Sequence, residues 1–188
     1  MVAIFAIGAL AGNRSWMEWS SFAQTLIRHQ ATAMLTDVYS ASLFQGETVP
    51  EEVKAGLPRV RQARIAMFAH PAAGRLGTRP SDLPEERFPS EVAATARPFV
   101  SEAGVPALEI EAALPPGYPR VRADFWLLTD ETGVVVGYGH AAPLDAGTAI
   151  AGFVRADRPR DRVLAYPWPE QGGMVPGLAV RFPPLPTR

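Results

Sequence analysis

His29, His70 and His140 are the imidazoles of this 188-residue chain, and no two stand at the close spacing of a helix- or turn-borne metal pair. A metal site would need partners brought together by folding. His140 carries the strongest local signal. It follows Gly137-Tyr138-Gly139, where missing side chains bare the backbone and let a ligand approach closely. His29 falls in a helical stretch, where a half-buried or surface position is the plain expectation, and His70 precedes Pro71 at a turn. Glu109 and Glu111 alternate along an expected strand, which sets both carboxylates on one face about 7 Å apart. That spacing suits paired acid–base work. Their neighbours Leu108, Ile110 and Ala112 favour the plainer alternative, a half-buried strand with both Glu facing water.

Other chemistry is excluded by residue type. There is no Cys, which removes disulfides, thiolate metal sites, iron–sulfur clusters and thiol nucleophiles. Gly137-x-Gly139 lacks a third Gly and runs into Ala-Ala-Pro rather than opening a helix, so it is no dinucleotide fingerprint. Neither a phosphate loop nor a Gly-x-Ser-x-Gly elbow occurs. No catalytic residue, metal or cofactor is therefore expected. A net charge of −1 supplies no basic surface for nucleic acid. Arg155, Arg158, Arg160 and Arg162 interleave with Asp157 and Asp161, the pattern of a solvated loop.

The elements that must position these groups follow from periodicity. Residues 15–44 contain no Pro or Gly, and Trp19, Phe22, Leu26, Ala33, Met34, Val38 and Ala41 fall mostly at helical steps. A long helix is expected there, stopped by Gln45-Gly46. Pro50 opens a short second helix to Gly56. Residues 63–79 read as a strand hairpin turning at Pro71–Gly74, and Ser90–Ala103 as a flanking helix capped by Ser90. Strands are expected at Pro106–Leu114, Arg120–Thr129, from Val134 to His140, at Ala149–Arg155 and at Val163–Tyr166, with weak pairing at Met174–Phe182. Asp130-Glu131-Thr132-Gly133 supplies the tight turn between the third and fourth of the hairpin strands, Asp bonding its own backbone. With successive hairpins the sheet is antiparallel, and the fold class is α+β in one domain over 15–170, followed by a Pro-rich tail over 171–188.

Residues 1–12 carry no charge but are shorter than the roughly 20 apolar residues of a spanning helix. Trp16 and Trp19 follow at once, as in a membrane-interface belt. Residues 1–14 are expected to be a membrane anchor or the outer end of a membrane helix, with membrane contact over residues 1–20. A first buried element of a soluble domain, or an atypical signal, are the alternatives.

The order of elements, with Ile65-Ala-Met-Phe68 and Gly74-Arg-Leu-Gly77 followed by Phe125-Trp-Leu-Leu-Thr-Asp-Glu-Thr-Gly-Val-Val-Val-Gly137, resembles the extracytoplasmic PAS-like (Cache-type) sensor domains of bacterial histidine kinases and chemoreceptors. The likeness covers about residues 16–155. It implies a small-molecule ligand pocket on one face of the sheet, signalling through terminal helices, a place at the periplasmic side of the inner membrane, and a homodimer through the long helix. Candidate ligand-facing residues are Arg122 and Trp126, which share parity, with Tyr138 and His140 on the returning strand. Arg122 would pair an anionic group. Trp126 reads first as core and only second as a ligand platform. The chain departs from the pattern in that no kinase or methyl-accepting region follows residue 188. A single-span accessory subunit packing on a larger membrane complex is the second expectation, and a soluble enzyme the third.

Overall fold

The computed structural model describes residues 20, 23–40, 43, 51–83, 92, 94–102, 104–115, 123–144, 147–157, 162–169 and 180–181. Residues 1–19 and the tail over 182–188 lie outside them, and with them the expected anchor and Arg122. The architecture is mixed α+β. Among the described residues two α-helices, α1 (residues 23–36) and α2 (Glu51–Gln62), precede seven strands: β1 Ala94–Val100, β2 Pro106–Ala113, β3 Ala123–Thr129, β4 Val135–Leu144, β5 Gly147–Arg155, β6 Leu164–Pro169 and β7 Val180–Arg181. They form one sheet in the order β1-β2-β5-β4-β3-β6-β7. Every neighbouring pair is antiparallel.

Three local expectations are corrected. The first concerns α1, expected to run to residue 44. Its helical residues end at 36, because Asp37 takes a left-handed φ of 66°. Asp37 N–H donates to Met34 O and Val38 N–H to Ala33 O, the paired bonds of a Schellman close. Asp fills the role usually given to Gly, since its short polar side chain tolerates this conformation.

The second correction turns the expected flanking helix into β1. Pro98 lies inside it, lacking the N–H an interior helical turn needs. Residues Thr95, Phe99 and Val100 favour the pleated alternative, and all seven β1 residues pair with β2.

The third removes the hairpin over residues 63–79. Two 3₁₀ turns stand there instead, Ala66–Ala69 and Pro71–Gly74, entered through left-handed Arg64 and Ala66. The His70 Nδ1 accepts from Ala72 N–H at 3.2 Å and caps the second turn. Phe68 and Ala72 are driven into the core as plugs.

The β3–β4 turn is built as its residues dictate. Asp130 accepts from the N–H groups of Thr132 and Val134 at 2.9 and 3.0 Å, and Gly133 takes φ 80°. A register shift between Leu128 and Thr129 then sets Trp126 opposite Gly139 and Leu127 opposite Tyr138. Both faces of the sheet are buried. On one face α1 and the 3₁₀ segment cover Leu127, Tyr138, Phe153, Tyr166 and Trp168. The other packs Trp126, Leu128, Ile110, Ile150 and Val154 into a second core.

Candidate functional site

On the α1 face a cleft of about 270 Å³ opens beside the buried core. α1 contributes Thr25, Leu26 and His29, one helical face. The strands contribute mainly alternate residues: Thr95 and Arg97 from β1, Glu109 and Glu111 from β2 with Ile110 between them, His140 and Ala142 from β4, and Ala151 from β5. Register builds two polar rows. Arg97 pairs with Glu109 and Thr95 with Glu111 across β1–β2. Glu111 and His140 both pair with Ala151 from opposite sides. The small Ala151 leaves the floor open between an acid and an imidazole.

A chain of contacts crosses from helix to sheet. The His29 Nε2 lies 3.2 Å from Glu109 Oε1, and its Nδ1 lies 3.2 Å from His140 Nε2. The other nitrogen of His140 reaches the Ala141 carbonyl at 3.1 Å, an acceptor that fixes a hydrogen on Nδ1. The His29 ring also leans on Phe153, with centroids 4.7 Å apart. Two turns further along α1, the Thr36 hydroxyl donates to Thr32 O at 2.7 Å and accepts from Tyr138 N–H at 3.2 Å. The helix is thus tied to β4 at two points on one face.

The electrostatics follow burial and partners. Glu109 is held below the usual carboxylate range by the hydrogen bond from His29, against an opposing desolvation, with the His29 and Arg97 charges helping. His140 is fully buried, and loss of solvation pulls its imidazole down to about 4, against the Ala141 carbonyl, which favours the proton. Between pH 6.5 and 4 the unfolded chain therefore binds a proton at this position that the folded chain refuses, so stability falls as pH falls through that window. Glu109, depressed in the fold, adds a further loss as pH drops below about 4.5. The expected loss from His140 between pH 7 and pH 4.5 is about 2–3 kcal/mol, from the size of its shift. Urea unfolding at the two pH values checks it, and an unchanged free energy would rule out a neutral buried His140.

The structure separates the four residues expected to face a ligand. His140 is in the cleft. Tyr138 shares its face but is completely buried one row away, its hydroxyl donating to Ala72 O at 2.7 Å and its ionisation pushed up to about 12 by burial. Trp126 belongs to the core on the opposite face. Arg122 lies outside the described residues. Glu109 and Glu111 do share a face, and both border the cleft. Sequence reasoning left His29 and Arg97 without a role. A signal for His29 was present, because Leu26, His29 and Ala33 fall on one helical stripe. Nothing local marked Arg97, whose place depends on β1 being a strand.

Among the described residues no group of three or more His, Asp or Glu is disposed to hold a metal ion. Among the same residues no helix is long and apolar enough to cross a membrane, which says nothing of a crossing made by strands. No protein-family profile, curated protein or solved structure matches the chain.

Proposed function

We propose that this chain is a ligand-sensing or interaction module of PAS-like type, anchored through residues 1–20 and facing the periplasm. A small molecule would enter the cleft between α1 and the sheet. The observation that supports this reading is the cleft's position. Its polar groups come from the N-terminal helix and from three strands at once, so a ligand there touches the element that leads back toward the proposed anchor. The ligand-facing set becomes His140 with His29, Arg97, Glu109 and Glu111, and loses Trp126 and Tyr138. The mixture of acid, imidazole and guanidinium suits a small polar molecule with both hydrogen-bond donors and acceptors. Binding would be sensed as a change in how α1 seats on β4, since the helix and the strand share the site.

The experiment is a titration of the isotope-labelled full chain with mixtures of small polar compounds, amines, carboxylates and sugars among them. A binder is expected to shift the backbone resonances of Thr25, Thr95, Glu109–Glu111 and His140 together. Glu109→Gln combined with Arg97→Met is expected to weaken that binder at least tenfold. Shifts confined to residues outside the cleft, or full binding by the double variant, would sink the proposal. A second reading, an accessory subunit meeting a larger membrane complex or a second copy through the outer face of α1, is favoured by Ile27, which stands 62% exposed on that helix.

A further inference from the structure

We propose that the contact between His29 and His140 is an acid-released latch on the cleft: one proton bridges the two rings and holds α1 down, and a second proton, taken up by His140, breaks the bond and frees the helix.

The facing nitrogens are 3.2 Å apart and the ring centroids 5.4 Å, with the planes at 74°. The difference, 5.4 − 3.2 = 2.2 Å, is close to the two ring radii laid end to end, so the imidazoles meet head-on. Head-on approach is the geometry of a linear N–H···N bond. A metal shared by two imidazoles in a tetrahedral site sits off the line between the nitrogens, with both rings tilted toward it. The pair is arranged for a proton.

The remaining contacts fix how many protons the chain holds. The Ala141 carbonyl only accepts, so His140 carries its hydrogen on Nδ1 and offers a lone pair at Nε2. Glu109, ionised, only accepts, so His29 donates from Nε2. The bridge then needs its hydrogen on His29 Nδ1. His29 holds both hydrogens and is the cation, balanced by the Glu109 carboxylate, while His140 is neutral. Removing the bridging proton sets two lone pairs against each other. Adding a second sets two N–H groups against each other with no acceptor between them.

The surroundings bias the acid side. Arg28 on α1 and the His29 cation both oppose a charge on His140. From β1 comes Arg97, from β2 Glu109 and Glu111, while β4 and β5 present Ala142, Ala151 and Phe153, without charge. Once His140 is protonated, its Nε2 no longer accepts from His29 and burial penalises the charge, with the Ala141 carbonyl alone favouring it. The Thr36 contact with Tyr138 N–H does not titrate and stays, so the first turns of α1 lift about that point. The consequence for ligand rests on reading the cleft as a ligand site. The latch itself does not, and its test uses no ligand.

Amide exchange of the full chain is compared at pH 7 and pH 4.5, after correction for the intrinsic pH dependence of exchange. Amides of α1 over residues 25–33 are expected to lose protection at least tenfold through a local opening that low urea does not accelerate, whereas amides of β4 and β5 lose only what the fall in global unfolding free energy accounts for. In His140→Gln, whose side-chain oxygen takes the His29 hydrogen without titrating, that difference is expected to vanish. Exchange of the helix amides that follows global unfolding as the sheet's does, or an unchanged response in the variant, would overturn the latch. Where the variant fails to fold, imidazole nitrogen shifts of the wild-type chain at pH 7 decide. His140 protonated at Nδ1 with Nε2 bare, and His29 protonated at both nitrogens, support it. The opposite His140 tautomer overturns it.

Discussion

Gly152→Ala is expected to destabilise the fold by about 4 kcal/mol or more, the range reserved for backbone strain and overpacking in a core. A methyl at this position would meet the carbonyl oxygen of Tyr138, lie 2.5 Å from Gly139 Cα and 3.0 Å from the Tyr138 carbonyl carbon. These are backbone atoms of the neighbouring strand, fixed by the ladder, and no rotamer change relieves them. Gly152 and Gly139 are register partners, so β4 and β5 approach closely where glycine faces glycine. Gly137 makes the same demand two pairs along, where a methyl would meet the Phe153 carbonyl oxygen and lie 2.9 Å from Val154 Cα. The three glycines therefore serve the coiling of the two central strands, the strands on which His140 and Ala151 are carried. Gly56 is the contrast. It sits inside α2 with nothing within 4 Å of an added methyl, and Gly56→Ala is expected to gain up to about 1 kcal/mol from helix propensity. Urea unfolding of both variants beside the wild type reads the pair. A loss under about 1 kcal/mol at Gly152 would mean that the strands are not so close.

Trp126→Ala is expected to cost about 3–5 kcal/mol, as for truncation of a large buried aromatic. Its side chain is 1% exposed and packs with Leu128, Ile150 and Ile110 on the face away from α1. The same substitution separates two roles. A ligand platform would lose binding with little change in stability. The geometry predicts the reverse: a large drop in the unfolding free energy, with compounds that bind the cleft still shifting Thr95, Glu111 and His140 at temperatures where the variant is folded. Loss of those shifts from a stably folded variant would return Trp126 to the site.

The contrast between Trp126 and His140 shows what alternation decides and what it leaves open. Period-two patterning placed β2 through β5 within a few residues, because each strand buries at least one face and slipping by one residue would expose it. Asp130 and Gly133 located the turn between β3 and β4 through side-chain and backbone chemistry that acts within four residues. The run from Phe125 to Leu128 could not say which face is core, and the reason is now plain: both faces are covered, so both parities are apolar. The register shift between Leu128 and Thr129 then carries Trp126 to the face opposite Tyr138 and His140. An unshifted ladder would have put Trp126 beside Tyr138.

Local pattern also failed where two conformations share a composition. Alanine, valine and threonine around Ser90–Ala103 permit a helix, and the decision for β1 came from Pro98 together with a partner strand waiting at β2. Residues 63–79 are apolar enough for a strand. Their 3₁₀ turns exist because Phe68 and Ala72 fill space under the sheet's α1 face and Tyr138, 66 residues further along the chain, binds Ala72 O.

By itself, then, the amino-acid sequence determined an α+β chain with an antiparallel sheet, no thiol chemistry, and a histidine following Gly137-Tyr138-Gly139 on a strand, which runs on past it to Leu144. Those properties depend on residue type and short-range period, which act before any long-range contact forms. Tertiary structure alone decided that His140 meets His29, 111 residues distant, and that Glu109 closes the chain. It did so because sheet register and helix docking bring side chains together across sequence separations that no local pattern encodes.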